Sequence, residues 1–138
     1  MNSPLSPSDV ADGPFALKRA YEPPQAEDGV RVLVDRLWPR GLKKAGAKID
    51  LWLRDVAPSP GLRRWFGHRP EHWEVFRERY AAELQGNPAF DHLRDLAQQG
   101  RVTLLYAAKD QAHNHALVLL DRLRAQNQDS REETPPWT

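Results

Sequence analysis

The sequence predicts a small single α/β domain, with a short, mainly parallel sheet flanked by helices. Three observations lead there. Two compact apolar runs of strand length, one within Arg31–Leu37 and one within Val102–Ala108, each stop abruptly in polar residues. Amphipathic stretches of helical period lie between them. Those intervening helices supply the crossover that a parallel pairing of the two runs requires.

Taken in order, residues 1–14 are rich in Ser, Pro and Asp without periodicity and read as a disordered N-terminal tail. Phe15 to Tyr21 roughly alternates and reads as a first strand, which Pro23-Pro24 breaks. Asp28-Gly29 supplies a turn before the strand that opens at Val30. Past Gly41 the pattern turns helical. Ser59 and Pro60 have the chemistry of an N-cap and a first helical residue. Pro70 opens a longer helix that Gly86 closes; Trp73, Phe76, Tyr80 and Leu84 form its apolar stripe, and Glu71, Glu74 and Glu78 face elsewhere. Asn87-Pro88 caps the next helix, with Phe90, Leu93, Leu96 and Ala97 inward and Gly100 at its end. Asp110 reads as the cap of a final helix whose core face is Ala112, Ala116, Leu119, Leu120 and Leu123. Residues 126–138, ending in Thr-Pro-Pro-Trp-Thr, read as a second disordered tail, so the folded domain is expected over 15–125.

At 138 residues the chain is long enough for one core, and 28% charged residues fit a globular protein. Zero cysteines exclude disulfides, thiolate catalysis and cysteine metal sites. No apolar run approaches the roughly 20 residues of a membrane span, and the N-terminus lacks the pattern of a secretory signal. A cytoplasmic location without membrane contact is therefore expected. The net charge of +1 is unevenly spread: residues 31–69 hold ten Lys/Arg against three Asp/Glu, while both flanks are mildly acidic. Such a middle attracts anions, or is simply a solvated face that pairs with acidic helices.

Function is read from the two strand ends. The first delivers Asp35, Arg36, Trp38 and Arg40 to the sheet edge; the second delivers Tyr106, Lys109, Asn114 and His115. Open α/β sheets bind ligands at the carboxyl ends of their strands. If the strands are parallel neighbours, cations, an acid and an imidazole meet around one rim. Arg36, Arg40 and Lys109 would hold a small phosphate- or carboxylate-bearing anion, with Trp38 lining the wall and Tyr106 and Asn114 orienting. Asp35 and His115 would be the proton-handling pair if a reaction occurs. Each residue also has a structural reading: an ion pair for Asp35 with Arg36, a lid on the core for Trp38, a cap for Asp110, a hydrogen-bonded histidine for His115. His113 and His115 lack zinc-motif spacing, and no phosphate loop or nucleophile elbow is present, so neither metal nor cofactor is expected. Trp38, Trp52 and Trp65 interleave with arginines, which keeps a nucleic-acid-binding or regulatory module on the basic 31–69 surface as the alternative, against ordinary hydrophobic packing of those rings.

The same residues resemble the YeaO-like branch of the DUF488 family of uncharacterised bacterial proteins. The resemblance runs from about Leu17 to Leu123. It rests on Val34-Asp35-Arg36-Leu37-Trp38-Pro39-Arg40-Gly41, Ala57-Pro58-Ser59 with Leu62-Arg63, Phe76 with Tyr80 and Glu83-Leu84, Thr103-Leu104-Leu105-Tyr106-Ala107-Ala108-Lys109, and Asn114-His115-Ala116. It implies a compact cytoplasmic α/β domain and brings no established activity. In the wider family a Cys-His-Arg triplet often stands at the place of Asn114-His115-Ala116. Only the histidine is kept here, which leaves His115 a non-thiol role.

Overall fold

A computed structural model describes residues 13–132, with side chains to Gln126. The expected N-terminal tail up to residue 12, and the C-terminal residues 133–138 with Trp137, lie outside the described residues.

Four strands form one wholly parallel sheet: β1 (Phe15–Arg19), β2 (Val30–Leu33), β3 (Leu51–Trp52) and β4 (Val102–Tyr106), in the order β1-β4-β2-β3. One of the two central strands, β4, is thus the last in sequence. Val30 pairs with Val102 and Leu33 with Leu105, so β2 and β4 leave the sheet at the same level. β3 has two residues and belongs to a stretch that the sequence predicts to be mostly helical. An edge strand so short leaves no alternation to read.

Helices α2 (Pro60–Phe66), α3 (Trp73–Leu84), α4 (Pro88–Ala97) and α5 (His115–Glu132) supply most of the main core. There Phe76, Tyr80, Leu84, Leu93, Leu119 and Leu123 meet Val32, Val34, Val102 and Leu104. A single-turn helix, α1 (Lys44–Ala47), belongs to the loop on the opposite face, where Trp38, Leu42, Ile49 and Trp52 pack on Ala20, Leu33 and Leu105. Burial on both faces explains why apolar residues follow one another without alternation over residues 32–34 and 104–106.

Part of that opposite face is ionic. Asp28, buried, accepts from Lys18 Nζ at 3.0 Å and Arg31 Nη1 at 2.6 Å, and its backbone carbonyl accepts from Thr103 Oγ1 at 2.7 Å. Burial pushes the Asp28 carboxyl up. Hydrogen bonds from the Gln25 backbone, Lys18 and Arg31 outweigh this and hold it below the usual carboxylate range. Gly29, at φ 65°, lies so close to the Arg101 carbonyl that a Cβ would collide with it.

Helix starts follow local chemistry with two corrections, the first being that Pro70 opens only a 3-10 turn (Pro70–His72) and α3 itself begins at Trp73. Ser59 caps α2 by accepting from Leu62 N–H at 3.2 Å, and Asn87 caps α4 by accepting from Ala89 N–H at 2.8 Å. The final helix begins after Asn114 and not at Asp110. Asp110 Oδ1 accepts from the backbone N–H groups of Ala112 and His113, closing a turn, and Ala112 is exposed in the loop. α5 then runs to Glu132, past Gln126, where the sequence reading begins a tail. No described helix is long and apolar enough to cross a membrane.

Candidate functional site

The ends of β2 and β4 are tied by Asp35. Its Oδ2 accepts from Ala107 N–H at 3.0 Å, and its backbone carbonyl accepts from Trp52 Nε1 at 2.7 Å. His115, first residue of α5, comes down on this junction: Nε2 lies 3.1 Å from the Val34 carbonyl and 3.3 Å from Asp35 Oδ1. That carboxylate oxygen is buried and has no hydrogen-bond partner among the described residues. Residues about eighty positions apart therefore meet because the strands run side by side in one direction.

Above the junction opens a cavity of about 310 Å3. Its apolar side is built by Pro58, Pro60, Phe66, Phe76 and Ala108; its polar side by Arg63, Arg64, His68, His113, Asn114 and His115. Arg63, Arg64 and His68 are exposed at its rim. His68 holds φ 58° directly after Gly67 at φ 52°, a left-handed conformation uncommon for a side-chain-bearing residue. His113 Nδ1 sits 3.1 Å from Asp110 Oδ2, with its ring edge-on to Trp73 at 5.3 Å. The Ala112 backbone hydrogen bond, chiefly, and His113 hold the Asp110 carboxyl below its usual range.

Of the other candidates only Asn114 reaches the cavity, and the rest disperse. Asn114, 3% exposed, caps α5: its Oδ1 accepts from Leu117 N–H at 3.1 Å and its Nδ2 donates to the Asp110 carbonyl at 2.9 Å. Arg36 lies behind the cavity wall, donating to the Ala57 and Pro58 carbonyls at 3.2 to 3.3 Å. Trp38 is on the opposite face of the sheet, its Nε1 donating to the Leu42 carbonyl at 2.9 Å. Arg40 and Lys109 are exposed and do not line the cavity; the Arg40 carbonyl accepts from Tyr21 Oη at 2.7 Å. Tyr106 is buried in the main core, where burial pushes its phenol up, Arg19 draws it down and Glu22 raises it. Arg63, Arg64, His68 and His113 are the lining residues that the strand-end reading does not select. The basic 31–69 stretch was the signal for the arginines; nothing local marks His68. Among the described residues no group of three or more His, Asp or Glu could hold a metal ion.

A parallel α/β domain with a cavity over its strand ends, lined by His115 with Asp35 behind it, is the frame on which the relatives can be placed. The profile of the DUF488-N3i family, described as the inactive DUF488-N3 subclade, matches residues 14–137, and the chain belongs to that family. It is similar to the uncharacterized protein YeaO of Escherichia coli (strain K12), 47% identical over 109 residues that cover 78% of this chain and 95% of that protein. The uncharacterized protein Rv3073c of Mycobacterium tuberculosis is 43% identical over 105 residues, 76% of this chain and 89% of its own length. No solved structure matches.

Proposed function

We propose that this chain is a non-catalytic binding domain. It takes a small anionic molecule, bearing phosphate or carboxylate, in the cavity above Asp35 and His115. Asn114 carries this reading. Both ends of its amide are engaged by backbone, so the position where the wider family often has a cysteine is occupied by a helix cap. A half-buried Asp–His pair with no nucleophile beside it among the described residues orients a ligand without attacking it. The family's description as inactive supports the same conclusion. Arg63 and Arg64, in the last turn of α2, supply the charge for an anion, and the apolar wall excludes water from it. Arg36, Arg40 and Lys109 then act at a distance, adding to the positive field of the 31–69 surface.

The test is a thermal-shift and calorimetric screen of phosphate and carboxylate anions on the full chain. Saturating ligand raises the melting temperature by several degrees, as binding at about 100 times Kd adds about 2.7 kcal/mol. The Arg63→Ala/Arg64→Ala double variant keeps its unliganded melting temperature and loses the shift. No shift with any anion refutes the reading.

A further inference from the structure

The cavity's imidazoles disclose what its ligand must carry besides an anion. A backbone carbonyl and a carboxylate only accept hydrogen bonds. His115 Nε2 faces both, Val34 O at 3.1 Å and Asp35 Oδ1 at 3.3 Å. When the ring holds one proton, that proton is therefore on Nε2, and the other nitrogen is fixed as a lone pair. Nδ1 has no hydrogen-bond partner among the described residues, although the ring lines the cavity. The same accounting holds at His113: Nδ1 faces the Asp110 carboxylate at 3.1 Å, which leaves Nε2 as the bare nitrogen. A neutral cavity thus offers acceptors from its imidazoles and cationic donors from Arg63 and Arg64. An anion alone satisfies only the arginines. A ligand that fits both halves has an anionic group at one end and an O–H or N–H donor at the other.

Size narrows the class. A cavity of about 310 Å3 is at the low end for small-molecule sites, which run from about 300 to 1,000 Å3. It admits one compact molecule and not a dinucleotide. Resting on the anion-binding reading above, we infer that the site takes a phosphate monoester carrying hydroxyl groups, its phosphate toward Arg63 and Arg64 and a hydroxyl donating to His115 Nδ1. A sugar phosphate and a nucleoside monophosphate share this chemistry. The Pro58, Phe66 and Phe76 wall gives a base somewhere to lie in the second case only.

Titration calorimetry of the full chain at pH 8 tests this with methyl phosphate, ribose 5-phosphate and adenosine monophosphate. Ribose 5-phosphate binds about tenfold or more tighter than methyl phosphate, which has no hydroxyl. In His115→Gln the amide keeps a donor toward Val34 and deletes the Nδ1 acceptor. That ratio then falls about tenfold, the worth of one hydrogen bond of about 1.4 kcal/mol. A further gain with adenosine monophosphate assigns the wall to a base; a loss assigns the site to sugar phosphates. Equal binding of methyl and ribose phosphates, or a ratio unchanged in His115→Gln, overturns the inference and leaves the anion site standing. Failure of all three ligands removes both. A long-range proton–nitrogen correlation spectrum of the unsubstituted protein gives a readout independent of the variant's folding. It places the His115 proton on Nε2, with Nδ1 shifting on addition of ribose 5-phosphate; a proton on Nδ1 overturns the inference outright.

Discussion

Asp28 shows how a single residue's chemistry sets the stability of one face. Its carboxylate holds two cations at once, Lys18 and the buried Arg31, and also accepts from Gln25 N–H at 3.0 Å. Removing one partner of a buried pair typically costs about 3 to 5 kcal/mol. Arg31 keeps its bonds to the Ala47 and Lys48 carbonyls, so Asp28→Asn is expected near the lower figure, about 3 kcal/mol at pH 7. The pH dependence has a definite sign. The folded carboxyl titrates below its unfolded value of about 3.9, so its contribution is full above that value and disappears as pH falls through the folded one. Urea denaturation of both proteins at pH 7, 5 and 3 reads it: a gap that is constant between pH 7 and 5 and narrows toward pH 3. A gap as wide at pH 3 as at pH 7 contradicts this account.

At the scale of elements, what the sequence made legible followed the length and regularity of each pattern. The apolar stripe of α3, the caps at Ser59 and Asn87 and the pairing of the two buried strands all stand in the structure, because burial and capping act within a few residues. Asp110 and Asn114 were not separable. An Asx turn and an N-cap use the same short side chain accepting the same backbone N–H groups, and only the packing of α5 on the sheet decides which begins the helix. The direction taken after Leu33 was equally illegible, since alternation ends with the strand; Trp38 went to one face and Arg36 toward the other's wall. The cap of α2 carries a prediction of its own. Ser59 accepts from Leu62 N–H and donates to Glu83 Oε2 at 2.6 Å, and Glu83 Oε1 accepts from Ser59 N–H at 2.9 Å, binding α2 to α3. Ser59→Ala lowers stability by about 1 kcal/mol with an unchanged denaturant slope. No change in the denaturation midpoint would show that Glu83 alone fixes the helix start.

For the whole molecule, charge was legible in amount and not in destination. The ten cations of residues 31–69 predict a positive surface, yet several are occupied internally. Arg31 is buried against Asp28, Arg36 holds two carbonyls and Arg54 lies over the Trp52 ring at 4.1 Å. The aromatic rings that would serve as stacking platforms are engaged too. Trp38 meets Trp52 edge-on at 5.4 Å, and Trp65 stacks with His72 at 4.3 Å and lies under Arg79 at 4.6 Å. Single-strand binding draws about 1 to 3 kcal/mol per base from stacking, and phosphate contacts alone give weak, salt-sensitive affinity. Gel retardation with single- and double-stranded DNA is therefore expected only at low salt, in the non-specific range of about 10⁻⁴ to 10⁻⁶ M, without sequence preference. Binding of a small phosphate monoester, which engages only two arginines, persists at about 0.2 M salt because the loss with salt grows with the number of charges neutralised. Tight retardation at that salt would move the function from the cavity to the basic surface.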